Sequence, residues 1–371
     1  MTIHRNKEIL FNCIFGKIWI QSPYLWLSGE SSKPLLEMRI THNGRSETVN
    51  RALSDFGIEE SFSRASKRFH EHYHFTISPS AVDRTTKNVA LQAEKYIKDK
   101  LQNADELTSD QQFIKTMLAE LDGCEIRTID HKPVTDDTQR TPVYNNQKKE
   151  KIIKWRDVRI GFVRDLDLKD SKTFVGGLES YPAIVSQMNR AAILIGLTPE
   201  TNVVGVSDGA PGLSDELKRQ FPQMQFILDK THLKDHLYDT AEKLEIAKSE
   251  RKAWGEPRLR SISKGNVATV LTELKDLNET ESNERLRQLI GYIEKFKEAV
   301  NYNKFKANDY PIGSGEIESA HKSIPQKRLK IPGAGWKEES INPMVALRIL
   351  RANEWWENFW NQRTEQLLTA A

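Results

Sequence analysis

The stretch from Leu121 to His236 constrains the fold most, because its hydrophobic residues recur with the period of strands in some runs and with the period of helices in others, in a definite order. Three β-type runs come first, and a helix, a strand, a second helix and a last strand follow. These elements occupy 124–128, 155–163, 173–175, 181–196, 203–206, 212–220 and 226–228. A meander of strands followed by helices that alternate with short buried strands predicts a layered α/β domain with a partly parallel sheet.

Composition narrows the class of protein without indicating a function. The chain has 371 residues, and its net charge of +3 is too small to imply a nucleic-acid partner. Cys13 and Cys124 stand far apart, which excludes a disulfide framework and a Cys-x-x-Cys zinc site. The longest apolar run, 191–197, is far shorter than the roughly 20 residues that span a bilayer. Because the N-terminus lacks a long apolar stretch, the sequence predicts a cytoplasmic protein without a membrane partner.

The N-terminal part divides into a β segment, predicted over 1–44, and a helical region, predicted over 45–110. Alternating β-formers in the first segment predict a hairpin or small sheet. The helical region has the pattern of three short helices. Gly57 is expected to stop the first helix, and Ser78 and Pro79 are expected to begin the third.

Three short helices joined by tight turns are what a helix-turn-helix requires. Outward positions of the third helix, notably Arg84 and Lys87, are then candidate readers of phosphates or bases. A helical spacer that packs on its neighbour explains the same pattern equally well. Both interpretations stay open at this point.

The remaining chain is predicted to form a first core part over 111–235, a charged helical insertion over 236–309 and a closing part over 310–371. Two apolar stripes in the insertion indicate helices that pack together. The closing part opens with Tyr-Pro-Ile-Gly-Ser-Gly, which breaks the helical pattern. A further helix is predicted to begin at Glu316 and to be cut by Pro325.

Several carboxylates stand where a divalent cation is expected to bind, because Mg²⁺ prefers hard oxygen ligands. Asp122 lies at the head of the first predicted strand and Asp208 at the tip of the fourth, and the ends of neighbouring parallel strands meet at one sheet edge. Glu316 or Glu318 would be the third. On a helix these two glutamates point about 200° apart, and the spacing alone leaves the choice open. Each carboxylate taken singly is also explained as a turn residue or a charge near a helix N-terminus.

A rival site lies at His232 and His236, which have the i, i+4 spacing of a helical zinc pair. The residue after His232 is leucine, whereas a metalloprotease requires glutamate there. No third soft ligand is nearby, so a hydrogen-bonded histidine at the edge of the core is the favoured interpretation.

The clearest basic segment follows the candidate glutamates. From 320 to 351 there are seven Lys and Arg and two glutamates, an excess of five positive charges. Because this segment directly follows the candidate glutamates, it is predicted to contact a phosphate backbone and not only to form a solvated surface. The candidate residues are Lys322, Lys327, Arg328 and Lys330.

Five motifs in this order resemble the bacterial insertion-sequence transposases of the ISKra type, which are related to the Mutator-like superfamily. The likeness covers nearly the whole chain. The motifs are Leu-Asp122-Gly-Cys-Glu-Ile-Arg-Thr, Trp155-Arg-Asp-Val-Arg-Ile-Gly, Val-Val-Gly-Val-Ser-Asp208-Gly-Ala, Phe-Ile-Leu-Asp229-Lys-Thr-His232-Leu and Tyr310-Pro-Ile-Gly-Ser-Gly-Glu-Ile-Glu318-Ser.

The resemblance implies an RNase H-like catalytic core with a helical insertion, preceded by the β segment and the helix-turn-helix-like region. It implies a DNA transposase with an Asp-Asp-Glu triad. Carried over, the triad is Asp122, Asp208 and Glu318, because the family pattern places the acid just before a serine. Asp229 and His232 match the Cys/Asp-x-x-His motif that Mutator-like enzymes keep near the active site, which implies a supporting role.

The implied cofactor is Mg²⁺ or Mn²⁺, as two ions held by the triad. The implied partner is double-stranded DNA, both the terminal inverted repeats of the element and the target. The enzyme is expected to act on DNA as a homodimer or larger assembly, in association with the nucleoid. Two alternatives are a domesticated DNA-binding protein that has lost activity and an RNase H-like nuclease that does not transfer strands.

The chain departs from the resemblance near its N-terminus. Many relatives carry a zinc-binding cysteine cluster upstream of the first strands, and this sequence has none. A short variant or a truncated copy is the expected explanation. The departure bears on recognition of the terminal repeats more than on the chemistry.

Overall fold

A computed structural model describes residues 2–27, 30–33, 35, 40, 41, 43–107, 113–133 and 149–369. The chain forms two compact units. One comprises 1–100, 125–157 and 322–371, and the other comprises 101–124 and 158–321. Over the described residues the protein is of mixed α/β class, with a five-stranded sheet, a small second sheet and many helices.

The first unit begins with a β-hairpin, which confirms the predicted β segment. Strands β1 (Thr2–Cys13) and β2 (Gly16–Leu27) pair antiparallel, and Gly16 takes the positive φ of +119° that the turn requires. Two short strands, β3 (Glu30–Ser32) and β4 (Gly44–Arg45), complete a sheet in the order β3-β2-β1-β4.

Three helices follow in the first unit, α1 (Glu47–Glu59), α2 (Phe62–Tyr73) and α3 (Pro79–Gln102). The third begins at Pro79 as predicted, but with 24 residues it is not the short helix that the sequence predicts. Serine hydroxyls cap α1 and α2, because Ser46 and Ser61 accept hydrogen bonds from backbone N–H groups three residues on. Their apolar faces share one core, formed by Val49, Leu53, Ala65, Phe69, Ile77, Ala81 and Val82.

The prediction that Gly57 stops the first helix is wrong. Helix α1 continues to Glu59, and Gly57 is buried inside it. A Cβ atom on Gly57 would lie 2.2 Å from the Thr86 hydroxyl oxygen on α3. Glycine is therefore required here by the close approach of two helices and not by a helix terminus.

The second unit contains helix α4 (Ala104–Leu107) and the five-stranded sheet. Its strands are β5 (Thr116–Pro133), β6 (Lys149–Asp165), β7 (Thr173–Gly177), β8 (Asn202–Ser207) and β9 (Gln225–Leu228), and parts of β5 and β6 belong to the first unit. The strand order is β7-β6-β5-β8-β9. Strand β7 is antiparallel to β6, whereas β5, β8 and β9 are mutually parallel.

The first of these strands begins earlier than the sequence analysis places it. Strand β5 starts at Thr116, so Asp122 lies within the strand and not at its head. Residues 117–121 are fully buried, so this part of the strand shows no alternation of polar and apolar residues. Such a run is hard to distinguish from a buried helical segment by period alone.

Helices connect the parallel strands as predicted. Helix α5 (Tyr181–Leu194) precedes β8, and α6 (Leu213–Gln220) lies between β8 and β9. After β9 the helical insertion follows, and both of its apolar stripes are largely buried. It consists of α7 (Lys230–Lys243), α8 (Arg251–Ser263), α9 (Val267–Glu281), α10 (Glu284–Lys295) and α11 (Tyr302–Ala307).

Helix α12 (Gly315–His321) closes the second unit. The next residues, Lys322–Gln326, form a π turn that contains Pro325, and α13 (Lys327–Leu329) follows. The predicted cut at Pro325 therefore appears as a widened turn, because proline supplies no N–H for an α-helical hydrogen bond. The first unit ends with α14 (Ile341–Ala352) and α15 (Trp356–Thr369). In the described part of the chain, no helix is both long and apolar enough to cross a bilayer.

Candidate active site at the carboxyl ends of the parallel strands

Asp122 and Asp208 lie at the same edge of the second unit's sheet. Residues 116–120 of β5 pair in parallel register with 202–206 of β8. Asp122 is two residues beyond the paired stretch, and Asp208 directly follows β8. Because the two strands run in the same direction, both carboxylates lie where the parallel pairing of β5 with β8 ends, at the carboxyl-terminal edge of that pair, and open α/β sheets bind ligands at such edges.

Asp122 is partly buried and lies against a buried histidine of α12. Its Oδ1 accepts a hydrogen bond from the Gly123 N–H at 2.7 Å, and its Oδ2 lies 3.8 Å from Nε2 of the buried His321. Burial raises the pKa of Asp122, and the nearby negative charge of Asp208 raises it further. Two carboxylates that repel one another in this way favour a bound proton or cation between them.

Asp208 is fixed by the loop that follows β8 and by the insertion. Its Oδ1 accepts from the Ala210 N–H at 2.9 Å and from the Ser207 hydroxyl at 3.3 Å. Its backbone carbonyl accepts from the Tyr292 hydroxyl of α10 at 2.7 Å. Burial, followed by the charge of Asp208, raises the pKa of Tyr292, so this phenol stays a hydrogen-bond donor.

Asp229 is buried and joins the end of β9 to the loop that enters α12. Its Oδ1 caps α7 by accepting from the N–H groups of Thr231 and His232, and its Oδ2 accepts from both the N–H and the hydroxyl of Ser314, at 2.5 and 2.7 Å. Burial alone would raise the pKa of Asp229, but the hydrogen bonds from Ser314 and His232 outweigh it and lower the pKa. Asp229 therefore ties the start of α7 to the loop that precedes α12.

Glu120 is a site residue that the sequence analysis missed. It is fully buried on β5, and its Oε2 accepts the backbone N–H of Ile317 on α12 at 2.9 Å. Burial raises the pKa of Glu120 to about 8, despite that hydrogen bond. The available signal was a lone charge in the apolar run 117–121, two residues before Asp122 and therefore on the same face of the strand.

The two glutamates of α12 have different environments. Glu316 forms a two-pronged ion pair with the buried Arg164, at 2.7 and 3.1 Å, and a second one with Lys172 at 3.0 Å. Burial opposes ionisation of Glu316, but the hydrogen bonds from Arg164 and Lys172 lower its pKa. Glu318 is exposed and forms no ion pair with any residue that the structure describes. Glu316 is therefore occupied in a structural contact, and Glu318 is the carboxylate left available.

The donor set suits a divalent cation in kind, because it consists of hard carboxylate oxygens and includes two that repel one another. Within the described residues, however, no three His, Cys, Asp or Glu side chains are close enough together to hold a metal ion. Asp122 and Asp208 share the sheet edge, and with Glu318 on α12 they do not form such a group of three among the described residues. The structure therefore does not assemble the metal site that the sequence predicts from these three carboxylates.

The histidines of α7 do not form a zinc pair. Arg285 donates a hydrogen bond to Nδ1 of His236 at 2.8 Å, and the His236 ring packs on Tyr292 with centroids 4.4 Å apart. Burial and the charge of Arg285 lower the pKa of His236. His232 contributes its backbone N–H to Asp229, and a charged His232 ring would favour ionisation of Asp122.

The predicted DNA-contacting residues lie in the first unit, where, within the described chain, some are exposed without an ion pair, some are ion-paired and one is buried. Arg84, Lys322 and Lys330 are exposed and form no ion pair among the described residues. Lys87 pairs with Asp83 at 3.0 Å, and Lys327 pairs with Glu59 at 2.5 Å.

Arg328 is buried, which removes it from the surface where a phosphate contact was predicted. Its guanidinium lies between the rings of Phe62 and Trp336, at 4.6 and 4.7 Å, and its Nε–H donates to the carbonyl of Gly57 at 2.8 Å. Burial lowers the pKa of Arg328 to about 10. A charge run in sequence does not distinguish this residue from Lys330 nearby, because Phe62 and Gly57, which complete its surroundings, are distant along the chain.

Comparison with known proteins finds no family model that matches this chain and no curated protein with significant sequence similarity to it.

Proposed function

We propose that the protein is a DNA transposase that cleaves DNA at the ends of an insertion sequence and joins them to target DNA. The observation that carries the proposal is the placement of Asp122 and Asp208 on neighbouring parallel strands, with an acidic helix returning to the same unit after a helical insertion. The sheet order β7-β6-β5-β8-β9, with an antiparallel β6–β7 pair and three parallel strands, supports an RNase H-like core. The motif resemblance to ISKra-type transposases supports the same assignment.

In this proposal Asp122, Asp208 and Glu318 form the catalytic triad and hold Mg²⁺ or Mn²⁺. When bound, two such ions would activate the attacking oxygen and stabilise the leaving one. Glu120 and Asp229 act as positioning residues, because they hold the first turn of α12 and the loop before it. Their contacts leave Glu318 exposed on the helix that also carries His321 to Asp122.

The reaction is written as two phosphoryl transfers. Water attacks the phosphodiester at the element boundary, the bond to the departing 3′ oxygen breaks, and that oxygen takes up a proton to become a 3′-OH. The 3′-OH then attacks a phosphodiester of the target, and the target's own 3′ oxygen leaves. Neither step requires a covalent bond between DNA and the protein.

Double-stranded DNA is the proposed partner, held through its phosphates by exposed basic residues. Arg84, Lys322 and Lys330 are the best placed of the predicted set, because none of them is engaged in an ion pair within the described chain. A homodimer or larger assembly on DNA, associated with the nucleoid, remains part of the proposal.

The test uses the purified protein, Mg²⁺ and labelled duplexes made from the DNA that flanks its gene on either side. Cleavage at the element boundary together with joined products is expected, and Asp208→Asn should remove both while retaining DNA binding. Cleavage without joined products would indicate a nuclease, and binding without cleavage would indicate a domesticated protein. Either result would overturn the transposase assignment.

A further inference from the structure

A concave pocket lined by three arginines lies in the first unit, apart from the carboxylates described above. Its volume is about 370 Å³, and its walls come from the start of α1, one face of α3 and α15. We call it the arginine pocket. The side chains that matter for its chemistry are Arg45, Asn50, Arg84, Thr85, Asn88 and Arg363.

Two hydrogen bonds hold the Arg45 guanidinium in place, but no carboxylate among the described residues neutralises its charge. Its Nη2 donates to the Thr85 hydroxyl at 2.8 Å and its Nε donates to the Asn50 carboxamide oxygen at 3.3 Å. Both acceptors are neutral, and Arg45 forms no ion pair among the residues that the structure describes. Burial, followed by the charge of Arg84, lowers the pKa of Arg45. Two guanidinium groups therefore repel one another across this pocket.

The described residues that line the pocket include no carboxylate, and of its three arginines only Arg363 has an ion-pair partner among them and their described neighbours. Glu47 pairs with Arg363, whose guanidinium also lies 5.3 Å from the centroid of the Trp360 ring. Glu47 accepts a further hydrogen bond from Asn50 at 3.0 Å. Arg84 is exposed and has no ion-pair partner among the described residues. Two of the three guanidinium groups, those of Arg45 and Arg84, thus have no carboxylate partner within the described chain.

We propose that the arginine pocket binds one phosphate group of a DNA backbone. Guanidinium groups present paired N–H donors that match two phosphate oxygens at once, and a phosphate charge would relieve the repulsion between Arg45 and Arg84. Asn88 adds a neutral donor, because Gln92 occupies its carboxamide oxygen at 3.2 Å and leaves the NH₂ group. The choice of DNA as the source of the phosphate rests on the proposed function, whereas the anion chemistry of the pocket does not.

The first experiment measures thermal unfolding of the full chain in inorganic phosphate and in chloride at matched ionic strength. Phosphate at about ten times its Kd should raise the Tm of the wild type by about 2–4 °C. Arg84→Gln should abolish that rise, because the variant lacks one of the guanidinium groups that would bind the phosphate. The substitution should not itself lower the Tm in chloride, since Arg84 is exposed and forms no hydrogen bond or ion pair among the described residues. Lys98→Gln is the matched control, since Lys98 is an exposed cation on the same helix outside the pocket.

The second experiment measures affinity for duplex DNA over a range of salt concentrations, in an Asp208→Asn background that prevents cleavage. Arg84→Gln should reduce the slope of log K against log salt by about one unit, and Lys98→Gln should leave it unchanged. Inorganic phosphate should compete with DNA in the wild type and not in Arg84→Gln. Arg45→Gln should behave like Arg84→Gln, provided that its Tm in chloride matches that of the wild type.

The outcomes distinguish a failure of the pocket proposal from a failure of the proposed transposase activity. A phosphate response that persists in Arg84→Gln, or none in the wild type, overturns the pocket. If inorganic phosphate raises the Tm but Arg84→Gln leaves the salt slope of DNA binding unchanged, DNA is overturned as the source of the phosphate, and the pocket binds a free phosphate compound. Intact DNA and phosphate binding without cleavage supports the pocket while the proposed transposase activity fails.

Discussion

Burial of the Glu120 carboxyl group lowers the stability of the folded protein, although its hydrogen bond holds the first turn of α12. Its carboxyl group is fully buried and accepts one backbone hydrogen bond, from Ile317. A raised pKa means that the folded protein keeps this proton at pH values where the unfolded chain has released it. The side chain therefore opposes folding as the pH rises from the ordinary range of a glutamate towards about 8.

We expect Glu120→Gln to flatten the pH dependence of stability. Between about pH 5 and pH 8 the wild type should lose up to about 1.4 kcal/mol per pH unit through this group, because the folded state binds one more proton than the unfolded state. Glutamine stays neutral and keeps an acceptor for Ile317. The measurement is urea unfolding at three pH values in the presence of a chelator.

Glu125→Gln provides the control for that series, because Glu125 is an exposed glutamate on the same strand. Its stability curve should run parallel to that of the wild type. A constant difference between Glu120→Gln and the wild type at every pH would contradict the raised pKa.

At the level of single residues, the sequence predicts which residues come together better than it predicts their environment. Asp122 and Asp208 are candidates from predicted strand ends and Asp229 from the motif resemblance, and the parallel register of β5, β8 and β9 explains why they share one region. Glu120 and Arg328 were misjudged because burial decides what they do. Burial depends on partners such as Ile317 for Glu120 and Phe62 for Arg328, which are distant in sequence.

Glu316 and Glu318 point in different directions from helix α12. Glu318→Gln should abolish DNA cleavage and change the free energy of unfolding by less than about 0.5 kcal/mol, because the side chain is exposed. Glu316→Gln should lower stability by about 2–4 kcal/mol, because the buried Arg164 would lose its carboxylate. Cleavage assays and urea unfolding of both variants check this. An active Glu318→Gln protein would return the catalytic assignment to Glu316.

Helices α1 and α3 approach one another at Gly57. Gly57→Ala should cost about 1–3 kcal/mol of unfolding free energy, because the new methyl group would overlap Thr86. Gly291→Ala on α10 is the matched substitution, since nothing lies within 4 Å of its Cβ position. That variant should be more stable by up to about 1 kcal/mol, through helix propensity alone. Equal effects at the two sites would contradict the close approach.

Most elements of the fold followed from local pattern, and the exceptions have physical reasons. Helix α5 and strands β8 and β9 agree with the predicted segments to within two residues, because turn residues bound short runs of clear period. The start of β5 was missed because a strand buried on both faces has no alternation. The end of α1 was missed because a glycine inside a helix and a glycine after one look alike in a sequence.

For the whole molecule, the distribution of positive charge determines which substitutions change DNA affinity. Lys322→Gln and Lys330→Gln should each reduce the salt slope of DNA binding by about one unit and leave Tm unchanged, because both side chains are exposed. Arg328→Gln should lower Tm, since its guanidinium packs between two aromatic rings. Fluorescence anisotropy and thermal unfolding separate the two effects, and a stable Arg328→Gln protein with a reduced slope would contradict the buried placement.

The double hydrogen-bonding role of Asp229 has a consequence for how this architecture can vary. Asp229 and Ser314 are 85 positions apart, yet one carboxylate holds both ends of the insertion, and the Lys230 N–H also donates to the carbonyl of Ile312. The insertion therefore begins and ends at a single point beside the sheet. Because the entropy of closing such a loop grows only slowly with its length, helices that do not contact the sheet edge, unlike α10 with Tyr292, can be added to or removed from the insertion at little cost to the sheet. Related chains are free to differ most in this region while β5, β8 and α12 stay the same.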